Sequence, residues 1–507
     1  MKKTALSMML LTIVIKLFGF LKGIVLSYYY GASNISDIYI VGTTLPTVIF
    51  AFVGVSITTI YIPMYQNIRQ EEDFEVANLF TSNISNVFLI VISIVVLLIN
   101  LFSEYIVKVF ASGFTGETLS KTSDFVDITS FSLYFLLIIH IFQGYLNANK
   151  SFLLPLVAQI PLNIIVMASI AFSYDHGIKV IPYSYLFAFF IQSLILLIYS
   201  HKQGYKHTFY IDIKNKYIKQ ALYLSIPVII GISVSELNVV VDKTLASQIS
   251  IGGISALQYA NKLSQFIQGI FITSMVTLIY PSLSKLNSLG KYDEASKMVK
   301  KTMVSIAVVI IPITFGTIIF SKPITSLLYG RGAFDVKSLS MTASALAFYS
   351  LGMIGIGLRE LFSRLYYSMG DTKTPMKNSA YAMVLNIVLN LIFSKFLGIG
   401  GLALATSISS IFAAVLMIIS LKKRKGSFDL NGVTKSFLKI LKASFAMGII
   451  AKSSFNYLTS ILSQNLSLVI AIIVGVISYF IVINHLKIDD VDLISKMIRK
   501  KIGRKKN

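Results

Sequence analysis

Residues 79–102 read LFTSNISNVFLIVISIVVLLINLF, a run of 24 residues without a charged side chain. An α-helix rises about 1.5 Å per residue, so a run of this length crosses the roughly 30 Å hydrocarbon core of a bilayer. The strands of membrane β-barrels instead alternate apolar and polar residues over about ten positions. The run therefore predicts a membrane-spanning helix.

Similar runs recur along the whole chain of 507 residues, which is 55% hydrophobic and 13% charged with a mean hydropathy of +0.76. A soluble domain carries about twice that charged share. The fold class that we predict is an all-α polytopic membrane protein with 14 transmembrane helices. Their approximate bounds are 5–30, 36–65, 79–102, 126–147, 152–173, 182–200, 217–246, 253–283, 302–321, 338–367, 376–397, 400–421, 436–458 and 464–485.

The basic residues predict how the chain is oriented in the membrane. With both termini inside, about 32 of the 45 Lys and Arg fall on the cytoplasmic side, about 8 outside and 5 within helices. Cytoplasmic loops of membrane proteins carry such an excess of Lys and Arg. We therefore predict a multi-pass protein with cytoplasmic N- and C-termini, and its net charge of +23 requires no nucleic-acid partner.

An internal repeat indicates two lobes. The segments 60–63 (IYIP) and 279–281 (IYP) place their prolines 218 residues apart, and Lys150 has a counterpart in Lys373 after 223 residues. This offset covers six helices, an even number, so we expect parallel repeats related by a pseudo-twofold axis along the membrane normal, with a cavity between them. The predicted organisation is an N-lobe at 1–200 (helices 1–6), a cytoplasmic inter-lobe linker at 201–216, a C-lobe at 217–422 (helices 7–12), and helices 13–14 with a basic cytoplasmic tail at 423–507.

Five positive charges fall inside these apolar runs, where one Lys or Arg costs roughly 2.5–3.5 kcal/mol at a helix centre. Lys16 lies near mid-membrane, and Lys22 lies six residues further towards the outer face, where Asp37 opens the second helix. Such charges persist when they face a shared polar cavity, which indicates an anionic ligand; the alternative is that the lysines reach to an interface. The five residues are Lys16, Lys22, Lys243, Lys262 and Arg359.

The remaining charges leave structure and function open. Gln265 joins Lys262 in a polar patch of the eighth helix, whereas Lys243 and the pair Arg359 and Glu360 suit either a gate or contacts with neighbouring helices.

Oxygen-bearing side chains recur in helices 7, 11 and 12. Asn386 and Asn390 are four residues apart and share one helix face. With Asp242 and Thr406 they offer the oxygens that a Na⁺ or proton site uses. The alternative is hydrogen bonding between helices, the common role of Asn in membranes.

No enzyme motif occurs in the sequence. The five His have no metal-ligand spacing, and there is no GxSxG, no P-loop and no cluster of carboxylates at one interface such as a membrane phosphotransferase needs. We therefore expect a transporter and not an enzyme.

Several motifs, in this order and spacing, are similar to those of one transporter family. They are KLFGFLK at 16–22, Ser36-Asp37 with Leu45-Pro46, residues 259–269, YPSLS at 280–284, YGRGAF at 329–334, RELFSR at 359–364 and YSMGDTKTP at 367–375. Over residues 1–485 the chain resembles the MurJ (MviN) lipid II flippases of the multidrug/oligosaccharidyl-lipid/polysaccharide exporter superfamily.

The resemblance implies roles for single residues. It implies that Lys16, Lys22 and Lys262 line the cavity that receives the lipid diphosphate, together with the acid Asp37. Family members commonly carry Arg at the three basic positions, and Lys lacks the bidentate fork of Arg. Gln265 stands where an acid is common.

The resemblance also implies a Na⁺ site between helices 7, 11 and 12. Asn390 stands where an Asp would make that site stronger. The implied ligands are Asp242, Asn386, Asn390, Thr406 and the carbonyl of Leu402.

The function that follows is transport of undecaprenyl-diphosphate-linked saccharide, namely lipid II, from the inner to the outer leaflet of the bacterial plasma membrane by alternating access, for cell-wall synthesis. The expected partners are lipid II and membrane lipids, with Na⁺ as a coupling ion and no required cofactor. The alternatives are a flippase for a capsular or teichoic-type lipid-linked polysaccharide and a cation-coupled drug antiporter. The sequence makes no prediction of oligomeric state.

Overall fold

The computed structural model describes residues 2–423 and 432–486, and these residues form helices and connections without a strand. They divide into two compact units. The first comprises the chain up to Ser255 together with Arg331–Ser338, and the second comprises the other described residues. Most of the predicted basic tail, from residue 487 onwards, lies outside the described residues.

The helices of the first unit begin where short polar side chains can cap them. Ser33 accepts a hydrogen bond from the backbone N–H of Ser36, and Asp73 accepts one from Val76 at 2.8 Å. These side chains satisfy amides that the first helical turn leaves without a partner. The helices are α1 Lys2–Tyr30, α2 Asn34–Glu71, α3 Phe74–Leu101, α4 Ser103–Phe110, α5 Gly116–Ser130, α6 Ser132–Ala148, α7 Leu154–Val157, α8 Gln159–His176, α9 Val180–Lys202 and α10 Lys216–Ile249.

The second unit continues from α11, whose first residues belong to the first unit. Gly398 (φ 55°, ψ −135°) breaks the long helix α16 into two arms, which agrees with the separate spans predicted at 376–397 and 400–421. The elements are α11 Gly253–Gln268, a π-helical turn Gly269–Thr273, α12 Ser274–Ser288, α13 Tyr292–Ile319, α14 Ser321–Tyr329, α15 Val336–Ser368, α16 Lys373–Lys422, α17 Val433–Leu458 and α18 Gln464–His485.

The helix lengths fit a polytopic membrane protein. Among the described residues, 12 helical stretches are long and apolar enough to cross a membrane. One of them contains both arms of α16, and α17 is not among them although it has 26 residues. Counting the two arms separately and adding α17 is consistent with the fourteen predicted spans. The lobe bounds rest on an internal repeat, which a division by packing does not test, and they stay a prediction.

Tyrosines from several helices meet in the core of the first unit. Tyr61 of α2 hydrogen-bonds Thr81 of α3 at 2.7 Å, and the rings of Tyr65 and Tyr145 lie 5.4 Å apart. Tyr205, which follows α9, packs its ring 5.6 Å from Tyr145. The start of the connection from α9 to α10 is therefore part of this core.

Small residues allow close packing of α17 and α18 in the second unit. A side chain at Gly475 would meet Ala451, and one at Gly448 would collide with Ile319 of α13. Without water to drive apolar faces together, membrane helices associate through such close contacts. The Tyr479 hydroxyl donates to the Val308 carbonyl at 2.8 Å and links α18 to α13.

Candidate substrate and ion sites

The two lysines of α1 have different surroundings. Lys16 is exposed, whereas Lys22 is half-buried. Their spacing of six residues turns them about 120° apart around the helix axis. The exposed side of α1 around Lys16 also carries the exposed apolar side chains of Ile13 and Leu17.

Asp37 is held by the segment that starts α11. The residue is 1% exposed, and its two carboxylate oxygens accept hydrogen bonds from the backbone N–H groups of Gly252 at 2.8 Å and Ser255 at 2.7 Å. A carboxylate at this position satisfies free amides at the helix start and complements the helix dipole. The charge of Lys243, which is 7% exposed, also acts on this carboxylate. Asp37 thus anchors the beginning of α11.

Three glycines close the backbone around this anchor. Gly31, Gly252 and Gly332 all have positive φ angles, and a side chain on any of them would collide with a backbone carbonyl. Ala333 donates its N–H to the Tyr28 carbonyl at 2.8 Å. The connections after α1, α10 and α14 therefore meet backbone to backbone, where only glycine fits.

Lys262 lies on α11 beside an apolar, packed face. Tyr259, Ala260 and Leu263 are buried, Lys262 is half-buried and Gln265 is exposed. The π-helical turn begins at Gly269, two turns after Lys262. Such turns are rare and are frequent at functional sites.

The other predicted gate residues occupy two places. Lys243 is buried near Asp37 in the first unit, and its neighbour Asp242 is half-buried. On α15, Arg359 and Glu360 are both half-buried and their charges attract each other. The gating role of these residues stays a prediction.

Four of the five predicted ion ligands come together between the arms of α16. Asn390 donates to the Asn386 side-chain carbonyl at 2.9 Å, and Asn386 donates to Thr406 at 3.4 Å. Thr406 donates to the Leu402 carbonyl at 3.0 Å. Ser409, which we did not predict, accepts a hydrogen bond from Asn386 at 3.0 Å.

These groups, called the asparagine cluster below, are hard oxygen donors without a formal charge. The fifth predicted ligand, Asp242, belongs to the first unit. Within the described part of the chain, no group of three or more His, Cys, Asp or Glu is arranged to hold a metal ion.

An apolar cavity of about 500 Å³ lies in the second unit. Its walls come from α13, α17 and α18, and include Pro312, Met447, Gly448 and Tyr479. Gly448 and Gly475 have no side chains, which helps to leave this space. The sequence did not reveal the cavity, since its lining residues are ordinary apolar residues of separate helices.

Two further polar residues at membrane depth were not predicted. Glu236 is half-buried in α10, six residues before Asp242. His140 is a half-buried residue of α6 whose ring lies 4.9 Å from that of Phe50. No second metal-ligand residue stands at a suitable spacing from His140, so the sequence gave no signal for this position.

Comparison with known protein families gives an extended match. A family model described as Lipid II flippase MurJ matches residues 26–479. The lipid II flippase MurJ of Thermosipho africanus is 28% identical over 467 residues, which cover 92% of each chain. The probable lipid II flippase MurJ of Thermotoga maritima is 26% identical over 495 residues, covering 97% of this chain and 98% of its own.

Solved structures give the same result. A lipid II flippase MurJ in an inward closed conformation is similar with a TM-score of 0.80 and 27% identity, covering 98% of this chain and 99% of the other. An inward-facing multidrug resistance transporter of the MATE family has a TM-score of 0.61 at 15% identity, covering 83% of this chain and 96% of the other. This second similarity concerns the fold alone.

Proposed function

Since the chain belongs to the lipid II flippase MurJ family, we propose that it moves lipid II from the inner to the outer leaflet by alternating access, for cell-wall synthesis. The observation that carries this proposal is the match to that family over residues 26–479. The protein is a multi-pass membrane protein of the transporter class. The excess of basic residues in alternate loops supports cytoplasmic N- and C-termini.

Three lysines supply positive charge for the diphosphate in this proposal. Lys16 and Lys22 lie on α1, and Lys262 lies on α11. A diphosphate is a compact anion, and an ammonium group within a low-dielectric surrounding attracts it more strongly than in water. A cationic drug would find no such attraction, which is why these lysines favour an anionic lipid substrate over drug antiport.

The apolar cavity beside α17 and α18 supports a place for the lipid tail. The cavity is lined almost wholly by carbon atoms, and the outer faces of these helices expose Phe480 and Ile481. A polyprenyl chain needs such a surface because it cannot form hydrogen bonds. We propose that the tail stays in the bilayer or in this groove while the headgroup crosses.

Growth of a strain depleted of its own lipid II flippase tests the proposed function. We expect the full chain to restore growth and to restore accumulation of lipid II in the outer leaflet. A flippase for a capsular or teichoic-type polymer would leave this strain unable to grow while rescuing a polymer-export mutant. That second pattern, with the protein present in the membrane, would contradict lipid II as the substrate.

We also propose that the asparagine cluster takes part in binding Na⁺. Na⁺ is a hard cation that binds oxygen atoms, and this cluster brings several oxygen atoms together. They belong to Asn386, Asn390, Thr406 and the backbone of Leu402. The oxygens of Asn386, Thr406 and Leu402 accept hydrogen bonds from neighbouring side chains, so an ion must compete with these bonds. Without a carboxylate in the cluster, we expect binding to be weak.

Replacing Asn390 by Asp tests this site. The carboxylate adds a negative charge next to the oxygens of Asn386, so N390D should raise the Na⁺ affinity by at least about tenfold, which 1.4 kcal/mol of added attraction provides. The measurement is the rise in melting temperature with NaCl relative to choline chloride. N378D is the matched control, because Asn378 is also buried on α16 but bonds Ser420 outside the cluster. Equal Na⁺ responses of the two variants would exclude the cluster as an ion site.

A further inference from the structure

The connection between α9 and α10 is an extended strap bound along α3. Residues 204–212 run beside the first half of that helix and receive hydrogen bonds from its side chains. The linker was predicted only as a polar cytoplasmic segment. The structure shows instead a segment with two different faces.

One face of the strap is satisfied by a ladder of polar side chains on α3. Asn83 donates to the Asp212 carbonyl at 3.0 Å and accepts from the Asp212 N–H at 2.9 Å. Asn86 donates to the carbonyls of Thr208 and Tyr210, both at 3.1 Å. These bonds occupy the backbone groups that an extended segment otherwise leaves to water.

The ladder has a regular spacing on the helix. Asn78 donates to the Gly204 carbonyl at 3.2 Å, and Ser82 accepts from the N–H of Thr208 at 3.3 Å. Positions 78, 82, 83 and 86 fall on one face of an α-helix, since residues three and four apart are neighbours there. The segment therefore has a fixed register on α3.

The opposite face of the strap is apolar and exposed. Phe209 is 98% exposed, Ile211 55% and Ile213 57%. Tyr210 and Asp212, which lie between them, are half-buried, so the three exposed side chains share the side away from α3. Three large apolar side chains in a row, turned outwards, indicate a surface that meets something other than water.

The position along α3 indicates what that surface meets. From Ile90 onwards α3 exposes apolar side chains, as expected for a lipid-facing helix, whereas residues 81–87 are buried. The strap lies beside this buried part, so its own apolar side chains form the outer surface at that level. Irregular backbone near lipid is tolerated where protein groups satisfy it, and the asparagine ladder does so here.

The charges beside the strap fit a lipid headgroup region. Residues 202–219 contain five lysines and one acid, Asp212, whose carboxylate accepts from the Lys214 N–H and the Tyr210 hydroxyl. At the end of the strap Lys216 pairs with Glu72 at 3.2 Å, and hydrogen bonds from Lys216 and Tyr217 lower the pKa of Glu72. Lysines next to an apolar surface are attracted to anionic lipids.

We propose that residues 208–213 form an interfacial strip that binds the bilayer surface. Phe209, Ile211 and Ile213 enter the boundary between headgroups and acyl chains, and the lysines on either side contact anionic headgroups. The asparagine ladder holds the strip at this depth. The inference does not depend on which lipid the protein transports.

A single tryptophan tests the strip, because the chain contains no Trp. F209W places the reporter on the apolar face, and T208W at the preceding residue is the matched control, because Thr208 is also exposed but its side chain does not belong to that apolar face. In vesicles of phosphatidylglycerol and brominated phosphatidylcholine, we expect bromolipid quenching of F209W to exceed that of T208W by at least about twofold, because only the apolar face is buried in lipid. Quenching by aqueous iodide should show the opposite order.

Two results would overturn the proposal. Strong iodide quenching of F209W, equal to that of T208W, would place the strip in water as a solvated charged segment. Protection of F209W from both quenchers would mean that protein, such as a second copy of the chain, covers this face. Because Phe209 is almost fully exposed, its replacement leaves the fold intact, and I213W provides a second reporter on the same face.

The headgroup contact has its own test. Replacing Lys206 and Lys214 by Gln in the F209W protein removes two charges next to the strip without changing its apolar face. We expect bromolipid quenching of this variant to fall in vesicles that contain phosphatidylglycerol. Unchanged quenching would exclude anionic headgroups as partners of the strip.

Discussion

Lys262→Ala is expected to abolish growth rescue of a strain depleted of its lipid II flippase. If Lys262 meets the diphosphate, its loss removes a charged partner whose truncation costs about 2–5 kcal/mol, or roughly 30-fold or more in affinity. Lys262→Arg should retain rescue, because it keeps the charge and adds the bidentate donor geometry that phosphate prefers. The measurement is growth after depletion, with membrane levels of each variant determined in parallel.

Lys297→Ala is the matched control for this result. Lys297 also lies on a helix of the second unit but is exposed within a charged segment, so its removal should leave growth unchanged. Lys16→Ala and Lys22→Ala should behave like the Lys262 variant. Normal growth of all three alanine variants at normal protein levels would contradict the role of these lysines in diphosphate binding.

Asp37→Ala should lower the stability of the folded protein substantially. The substitution leaves the N–H groups of Gly252 and Ser255 without their acceptor and removes the carboxylate near the buried Lys243. Leaving a buried hydrogen-bond donor without its acceptor costs about 1–3 kcal/mol for each donor. The melting temperature in detergent, followed by circular dichroism, should therefore fall well below that of the unchanged protein.

The control uses the other capping carboxylate. Asp73 caps α3 through the N–H of Val76 but is exposed, so water can replace it in Asp73→Ala. Asp37→Asn keeps the shape and one acceptor, and it should fall between the two alanine variants. If Asp37→Ala and Asp73→Ala melt at the same temperature, Asp37 does not anchor α11.

The sequence predicted where the helices lie because helix position is a local property. The predicted span 36–65 lies within α2, which continues to Glu71, and the predicted span 79–102 begins five residues after α3 does. The predicted break between the spans 376–397 and 400–421 is present at Gly398, since glycine alone adopts these backbone angles easily. The family and its transport class also followed from the order of short motifs.

The candidate sites could be predicted only in part. The pair Asn386 and Asn390 was visible because residues four apart share a helix face, and Thr406 joins them in the structure. Ser409 carried no signal, since a serine in an apolar helix commonly bonds its own backbone. The apolar cavity gave no signal either, because shape complementarity between helices is not encoded in any one of them.

By itself the sequence determined the helices, the charges that they carry and the family to which the chain belongs. The tertiary structure decided which groups meet. Asp37 finds its partners 215 and 218 residues away, and the asparagines of α3 hold a strap more than 120 residues later. The physical reason is that a helix forms from contacts three and four residues apart, whereas a buried carboxylate or amide is satisfied by whichever backbone the packed chain brings within hydrogen-bond distance.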